Sequence, residues 1–184
     1  ENLKTFVLED CADLSGTFPS SFWSIPSLET VDINGIYIEM QMTSGIQNAT
    51  NLSSLQIVSS NLIGGIPSEL FTLDDMNLID ISFTNLEGSI PDGIEGLDDI
   101  QTLRLDNNNL SGTLPDGIDL LNNISTLDLG HNSLSGDILE SICSLSNWSG
   151  SSVYVYLDDN NFCGEIPECD NLYYYNTSLQ DCDD

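Results

Sequence analysis

Any chemistry in this 184-residue chain would have to be carried by carboxylates, because little else on it is charged. Thirty aspartates and glutamates stand against two cations, Lys4 and Arg104, and one histidine, His131. Proton transfer would fall to His131 or to a perturbed carboxylate. Asp128, Asp158 and Asp159 are its expected neighbours, which invites a metal or acid-base reading. A lone exposed histidine beside carboxylates is more simply a solvated side chain, and no metal site is expected. Arg104 is expected between Asp80 and Asp128 on adjacent strands, with Asp106 on its own strand. That arrangement is either an internal charge pair of modest net value or a polar anchor in a binding patch. Asp106, Asp128, Asp158 and Asp159 could hold Ca²⁺ weakly. Tight Ca²⁺ binding needs about six to eight oxygens, which side chains projecting from strands seldom supply. No other cofactor is expected. The sequence has no nucleophile elbow, no phosphate-binding loop and no metal triad, so it reads as a non-enzyme.

A net charge of -28 excludes general nucleic-acid binding, since nothing here replaces phosphate counterions. It also disfavours anionic lipid and polyanionic sugars, and favours basic partners, cations or a saline medium. The acidic residues are spread through patterned sequence, which argues for folding and against a disordered tail. No apolar stretch approaches the ~20 residues of a membrane span. No signal-peptide pattern is present, so Glu1 reads as a processed start.

The elements that position these side chains follow from internal periodicity. Gly64, Gly88, Gly112 and Gly136 are 24 residues apart. Each sits in a Leu-x-Gly segment: Leu62-Ile63-Gly64, Leu86-Glu87-Gly88, Leu110-Ser111-Gly112 and Leu134-Ser135-Gly136. Upstream lie Ile100, Leu103, Leu105, Asn108 and Leu110 in one unit, and Ile124, Leu127, Leu129, Asn132 and Leu134 in the next. This is the L-x-x-L-x-L-x-x-N-x-L signature of leucine-rich repeats. The first unit carries an extra residue before Leu14. The second, residues 28–51, is degenerate, and its alternation of Ile36, Ile38, Met40 and Met42 predicts a longer extended segment. The seventh follows a four-residue insertion near residues 147–151.

The physical reading is a right-handed leucine-rich-repeat solenoid of about seven 24-residue coils, an α/β repeat fold. Leu-x-Leu alternation makes short strands with one face inward, stacked in parallel ~4.8 Å apart on the concave side. The convex segments are short and rich in Asp and Gly, which predicts 3₁₀ turns. The ninth residue of each unit turns inward: Cys11, Ile36, Ser60, Thr84, Asn108, Asn132, Asn160. An asparagine there can satisfy backbone groups of neighbouring coils. Ser60 and Thr84 keep only a hydroxyl, so this ladder should weaken in the middle.

The Leu-x-Gly-x-Ile-Pro endings resemble the plant-type extracellular leucine-rich repeat of receptor-kinase ectodomains and polygalacturonase-inhibiting proteins. The resemblance covers roughly residues 3 to 167. It implies a secreted or cell-surface recognition module with a protein partner, ligands on the concave sheet or its flank, and a second short sheet near the Gly-x-Ile-Pro segments. The family's cysteine-paired N-terminal cap is missing, and the acidity is extreme, so pectinase inhibition is not carried over. The acidity would suit an algal source.

Solvent-facing columns differ from coil to coil, which favours specific recognition over a repetitive lattice. The expected binding face comprises Asp80, Phe83, Arg104, Asp106, Asp128, His131, Tyr154, Tyr156 and Asp158. Tyr154, Tyr156 and Phe83 are the expected hot spots. The rival function is a structural or adhesive part of an extracellular matrix, wall or fibre. Self-association is left open.

Five cysteines occur, four of them among the last 42 residues, which indicates an oxidising compartment. The solenoid is expected over 1–168, followed by a disulfide-linked cap over 169–184. Three pairings of Cys143, Cys163, Cys169 and Cys182 are open, with Cys143–Cys163 and Cys169–Cys182 preferred. Cys11 is expected as a buried free thiol. Sequons at Asn48, Asn51, Asn109, Asn123, Asn147 and Asn176 fit a secreted glycoprotein, with Asn147 and Asn176 expected to be the most accessible.

Overall fold

Alternating apolar residues at each coil's start pair with the same positions one coil away. A computed structural model describes residues 2–11, 13–145, 150, 152–165, 167–170 and 172–175. Its strands, in chain order, are β1 (Thr5–Glu9), β2 (Thr30–Asn34), β3 (Met40–Gln41), β4 (Ser54–Val58), β5 (Leu62–Gly64), β6 (Leu78–Asp80) and β7 (Asn85–Gly88). There follow β8 (Thr102–Arg104), β9 (Asn109–Gly112), β10 (Thr126–Asp128), β11 (Ser133–Asp137), β12 (Val153–Tyr156), β13 (Asn161–Cys163) and β14 (Leu172–Tyr175). One parallel sheet runs β1-β2-β4-β6-β8-β10-β12-β14, and a second of six strands runs β13-β11-β9-β7-β5-β3. The second sheet is the one the plant-type repeat implies.

Register keeps like positions stacked. Val31, Leu55, Ile79, Leu103, Leu127 and Val155 are successive partners across the large sheet, and all are fully buried. Each such column removes branched apolar side chains from water, which is the main stabilising term. The coils close through short 3₁₀ helices, Ser20–Ser24, Ser44–Asn48, Ser68–Thr72, Ile94–Gly96, Ile118–Leu120 and Glu140–Ser144. They bury Ile46, Leu70, Ile94, Ile118 and Ile142 against the sheets. Pro19 and Pro67 sit just before two of these turns, where a fixed φ and a missing N–H cost nothing. The first coil is aromatic: Phe6, Phe18, Phe22 and Trp23 form a tilted and edge-on cluster, and the Trp23 indole N–H donates to the Gln41 carbonyl at 2.8 Å.

Several expectations are revised. The extended segment of the second repeat is a strand only at Met40–Gln41, although Ile36, Met40 and Met42 are buried while Tyr37, Glu39 and Gln41 are exposed. The segment assigned to a cap contributes β14, which pairs with β12 and lengthens the large sheet to eight strands. Cys11 is a free thiol, as expected, but half-buried.

The preferred disulfide pairing is wrong. Cys143 bonds Cys169, with Cα atoms 5.3 Å apart at a sequence separation of 26. That separation lies between one 24-residue coil and the 28 residues of the coil with its insertion. Cys163 lies on β13, a different side of the coil, so Cys143–Cys163 and Cys169–Cys182 are both excluded. Cys163 is itself disulfide-bonded, and Cys182 lies outside the described residues.

Candidate functional site

The inward ladder holds the coils in register beneath the candidate face. Asn108 accepts at Oδ1 from the Thr84 hydroxyl (2.5 Å) and the Leu86 N–H (3.0 Å). Its amide nitrogen donates to the carbonyls of Ile81, Leu105 and Asp106. Asn132 repeats this one coil on, accepting from Leu110 and donating to Leu105, Leu129 and Gly130. Asn160 accepts from Leu134 and donates to Leu129, Leu157 and Asp158. Earlier in the chain Ser60 makes two bonds, from Ile36 N–H and to the Val58 carbonyl. Ile36 makes no side-chain bond and is fully buried. The ladder is therefore weaker over the early coils, as hydroxyl-for-amide exchange dictates.

The residue before this ladder position is left-handed in every coil. Asp10, Ser59, Phe83, Asn107, His131 and Asp159 have φ between 49° and 55°, and Gly35 has φ 67°. This turn rotates the chain from the large sheet toward the second one. Five of the seven are Asp, Asn, Gly or His, types that tolerate this region; that enrichment was the sequence signal for the turn, and it was missed. Ser59 and Phe83 are the exceptions, and only Phe83 is bulky. A bulky side chain there costs about 1 kcal/mol, yet its ring is 54% exposed.

On the solvent face of the large sheet, Asp80, Arg104, Asp128 and Tyr156 are consecutive register partners. Arg104 approaches Asp80 (3.8 Å), Asp106 (3.4 Å) and Asp128 (3.5 Å). The sequence placed all three acids correctly. Arg104 Nε and Asp106 Oδ1 are both buried, and their contact is an ion pair without an aligned hydrogen bond. Asp106 is only 4% exposed, with Oδ2 accepting from the Asn107 amide at 2.9 Å. Ser82, buried beside them, donates to Asp80 at 2.6 Å.

Asp128 feels this crowding most. Burial pushes its carboxyl from 3.8 up to about 6, and the Asp106 and Asp158 charges push the same way. The Gly130 N–H, donating to Asp128 Oδ1 at 3.2 Å, and Arg104 oppose the rise. One guanidinium does not offset this many carboxylates. A Cβ at Gly130 would meet Asp158 Oδ1 at 2.9 Å and Asp128 Oδ1 at 3.4 Å, so the glycine lets both carboxylates close in on this point without displacement.

His131 turns both ring nitrogens toward acids, Nδ1 to Asp159 at 2.8 Å and Nε2 to Asp158 at 3.5 Å. Asp128, expected as a third neighbour, is committed instead to Arg104 and Gly130. One ligand atom each from His131, Asp158 and Asp159 can come within 4.8 Å of one another. Three ligands fall short of the four a structural zinc site uses.

The aromatic residues divide. In β12, Val153 and Val155 are buried, Tyr154 is exposed and Tyr156 half-buried, which places both tyrosines on the solvent face. Tyr154 stacks on Tyr173 with centroids 5.7 Å apart. Phe83 lies away from them, three register steps earlier along the large sheet (β6 to β8, β10 and β12). Tyr37, not singled out by sequence, is 68% exposed and shares a shallow hollow with Phe83, Ser59, Ser60, Asn61 and Asn85.

The sequons also divide. Asn48 and Asn109 are exposed. Asn51 and Asn123 use their amides to clasp the preceding coil, donating to the carbonyls of Pro26 at 2.7 Å and Asp98 at 2.6 Å. Asn147 and Asn176 lie outside the described residues. Among the described residues no helix is long and apolar enough to cross a membrane.

Residues 50–110 and 123–145 match two family models, both described as leucine rich repeat. No curated protein matches the chain. Among solved structures, the Arabidopsis thaliana receptor kinase GASSHO1/SCHENGEN3 ectodomain is 24% identical, with a TM-score of 0.73 over 98% of this chain and 24% of its own. The Arabidopsis receptor kinase HAESA, in complex with the peptide hormone IDA and the co-receptor SERK1, is 23% identical, with a TM-score of 0.76 over 97% of this chain and 34% of its own. The Arabidopsis thaliana BIR3–SERK2 complex is 29% identical, with a TM-score of 0.57 over 73% and 76% of the two chains. This chain thus spans a quarter to a third of the first two. The repeat phase, the two parallel sheets and these matches together make it a leucine-rich-repeat solenoid with the fold of plant receptor-kinase ectodomains.

Proposed function

We propose that the chain is an extracellular recognition module that binds a protein partner through the solvent face of its large sheet, the concave side. The observation that carries this is the variety of that face. Its side chains change from Phe83 to the Arg104 acid cluster to His131 and the tyrosine pair within a few coils, on a backbone that repeats closely. A lattice-forming or purely structural surface has no use for such variation; a specific contact does. The solved neighbours support the reading, since HAESA is seen with a peptide hormone and a co-receptor and BIR3 with SERK2. Asp80, Phe83, Arg104, Asp106, Asp128, His131, Tyr154, Tyr156 and Asp158 form the proposed contact set. With a net charge of -28, the partner is basic, cation-bridged, or held through the aromatic residues. No catalytic role is proposed, and Ca²⁺ enters only as a weak bridging ion. The Cys143–Cys169 bond fits an oxidising, extracellular setting, and N-glycans are proposed at the exposed Asn48 and Asn109.

Affinity capture from native extracellular fluid tests the reading, with wild type beside a Tyr154→Ala/Tyr156→Ala double variant. A protein retained by wild type should be lost from the variant by tenfold or more, with folding unchanged by circular dichroism. Equal recovery by both forms would overturn the proposed face.

A further inference from the structure

We propose that Tyr37 and Phe83 clamp a neutral saccharide over the hollow between them. This goes beyond the protein-recognition reading and does not depend on it. Two adjacent columns run along this flank of the solenoid. One is the left-handed column, otherwise Asp10, Gly35, Ser59, Asn107, His131 and Asp159. The other is the position after the inward ladder, read as Tyr37, Asn61, Asn85, Asn109, Ser133 and Asn161. Apart from the small Ala12 of the first coil, each column is polar or glycine except at one place, and the two large exceptions, Tyr37 and Phe83, flank the same hollow of about 400 Å³. Neither ring serves folding: both are largely exposed, and Phe83 holds a backbone conformation that its side chain disfavours.

The lining defines the ligand. Ser59, Ser60, Asn61 and Asn85 complete it, and none of them is charged, on a chain with thirty carboxylates. An ionic group of either sign would be desolvated there without a counter-charge. An apolar ligand would leave the amides unpaired. Asn85 donates to Asn61 Oδ1 at 3.0 Å, and Asn61 donates to the Tyr37 carbonyl at 3.3 Å. That fixes both amides while leaving the Asn85 carbonyl oxygen and the Ser59 hydroxyl open to a ligand. The matching molecule is neutral, with apolar faces for two aromatic rings and a rim of groups that both donate and accept. A pyranose has this build: C–H faces and a hydroxyl edge. The rings stand two coils apart, roughly 10 Å, which accommodates only about three residues of extended peptide. A peptide drawn to so acidic a chain would also be selected by its cations, and this hollow offers them nothing.

The test uses the full chain on an array of neutral oligosaccharides, uronic-acid oligosaccharides and a polyproline peptide, followed by saturation-transfer NMR on the retained compounds. Tyr37→Asn supplies the residue found at four other positions of its column, and Phe83→Asn supplies a type that tolerates the left-handed turn, as at Asn107, so both should fold, with thermal midpoints unchanged or raised. Wild type should retain at least one neutral oligosaccharide, and each variant should weaken it tenfold or more. Retention of no neutral saccharide, or equal retention by the variants, overturns the proposal. Equal binding of uronic acids overturns the neutrality argument, and binding of the polyproline peptide alone reassigns the hollow to a protein ligand.

Discussion

Coils two to four and coils five to seven use the same backbone for opposite ends. In the later coils the inward ladder is Asn108, Asn132 and Asn160, each bonding backbone on its own coil and the preceding one. In the earlier coils it is Ile36, Ser60 and Thr84, with few bonds or none. The outer faces differ in parallel. The earlier coils show an uncharged aromatic hollow, and the later ones show Arg104 and His131 among aspartates. Strain follows the same division. The later half stores electrostatic crowding, seen in Asp128, and is stapled by amide bonds; the earlier half stores backbone strain at Phe83. A repeat fold can separate these roles because each coil touches only its neighbours.

The sharpest way to break this comparison is the ladder itself. Asn132→Ala should cost about 3 kcal/mol in urea unfolding, because it orphans the Leu110 N–H and removes three donations, although the Leu105, Leu129 and Gly130 carbonyls keep Asn108, Asn160 and the Asn107 N–H as donors. Ser60→Ala should cost less, about 1–2 kcal/mol, because it orphans the Ile36 N–H but removes a single donation. Equal losses would mean that the amide ladder holds the later coils no more tightly than hydroxyls hold the earlier ones.

A second measurement probes the crowding. Asp128 has a raised carboxyl, so the folded state binds more protons than the unfolded state between pH 3.8 and about 6. Its ionisation therefore destabilises the fold as pH rises through that window. Asp128→Asn keeps an acceptor for the Gly130 N–H and removes the charge. Relative to wild type it should be near neutral at pH 4 and more stable at pH 7, by up to about 3 kcal/mol. A variant less stable at pH 7 would show that the Arg104 pair outweighs burial.

Arg104→Met is the smaller companion effect. It removes the guanidinium shared by Asp80, Asp106 and Asp128. The side chain is 39% exposed, so solvent screening limits the loss to about 2 kcal/mol. The loss should shrink toward pH 4 as Asp128 protonates. A pH-independent loss would point to packing of the alkyl stem.

Much of this was legible before the structure. The 24-residue phase placed the strands and the 3₁₀ turns, because apolar alternation and inward asparagines leave few other solutions, and the resemblance to the plant-type repeat implied the second sheet. It also placed Arg104 between Asp80 and Asp128, since register in a solenoid follows from residue counting. The Cys143–Cys169 bond was out of reach of the same counting, because its separation of 26 residues matches neither one 24-residue coil nor the 28 residues of the coil with its insertion. Tyr37 was hidden by the degenerate second repeat, whose alternation resembled a longer strand. The left-handed column was hidden because no single coil reveals it; only Asp, Asn, Gly and His recurring down the column does.

What the sequence determined alone was the solenoid and the list of side chains on each face, because both depend on period and burial. What the tertiary structure decided was which of those side chains meet: His131 with Asp158 and Asp159 but not Asp128, Tyr154 with Tyr173, Tyr37 with Phe83 across a hollow. Those contacts depend on left-handed turns, on side-chain direction, and on insertions that shift one coil over another, and none of these is encoded in the repeat itself.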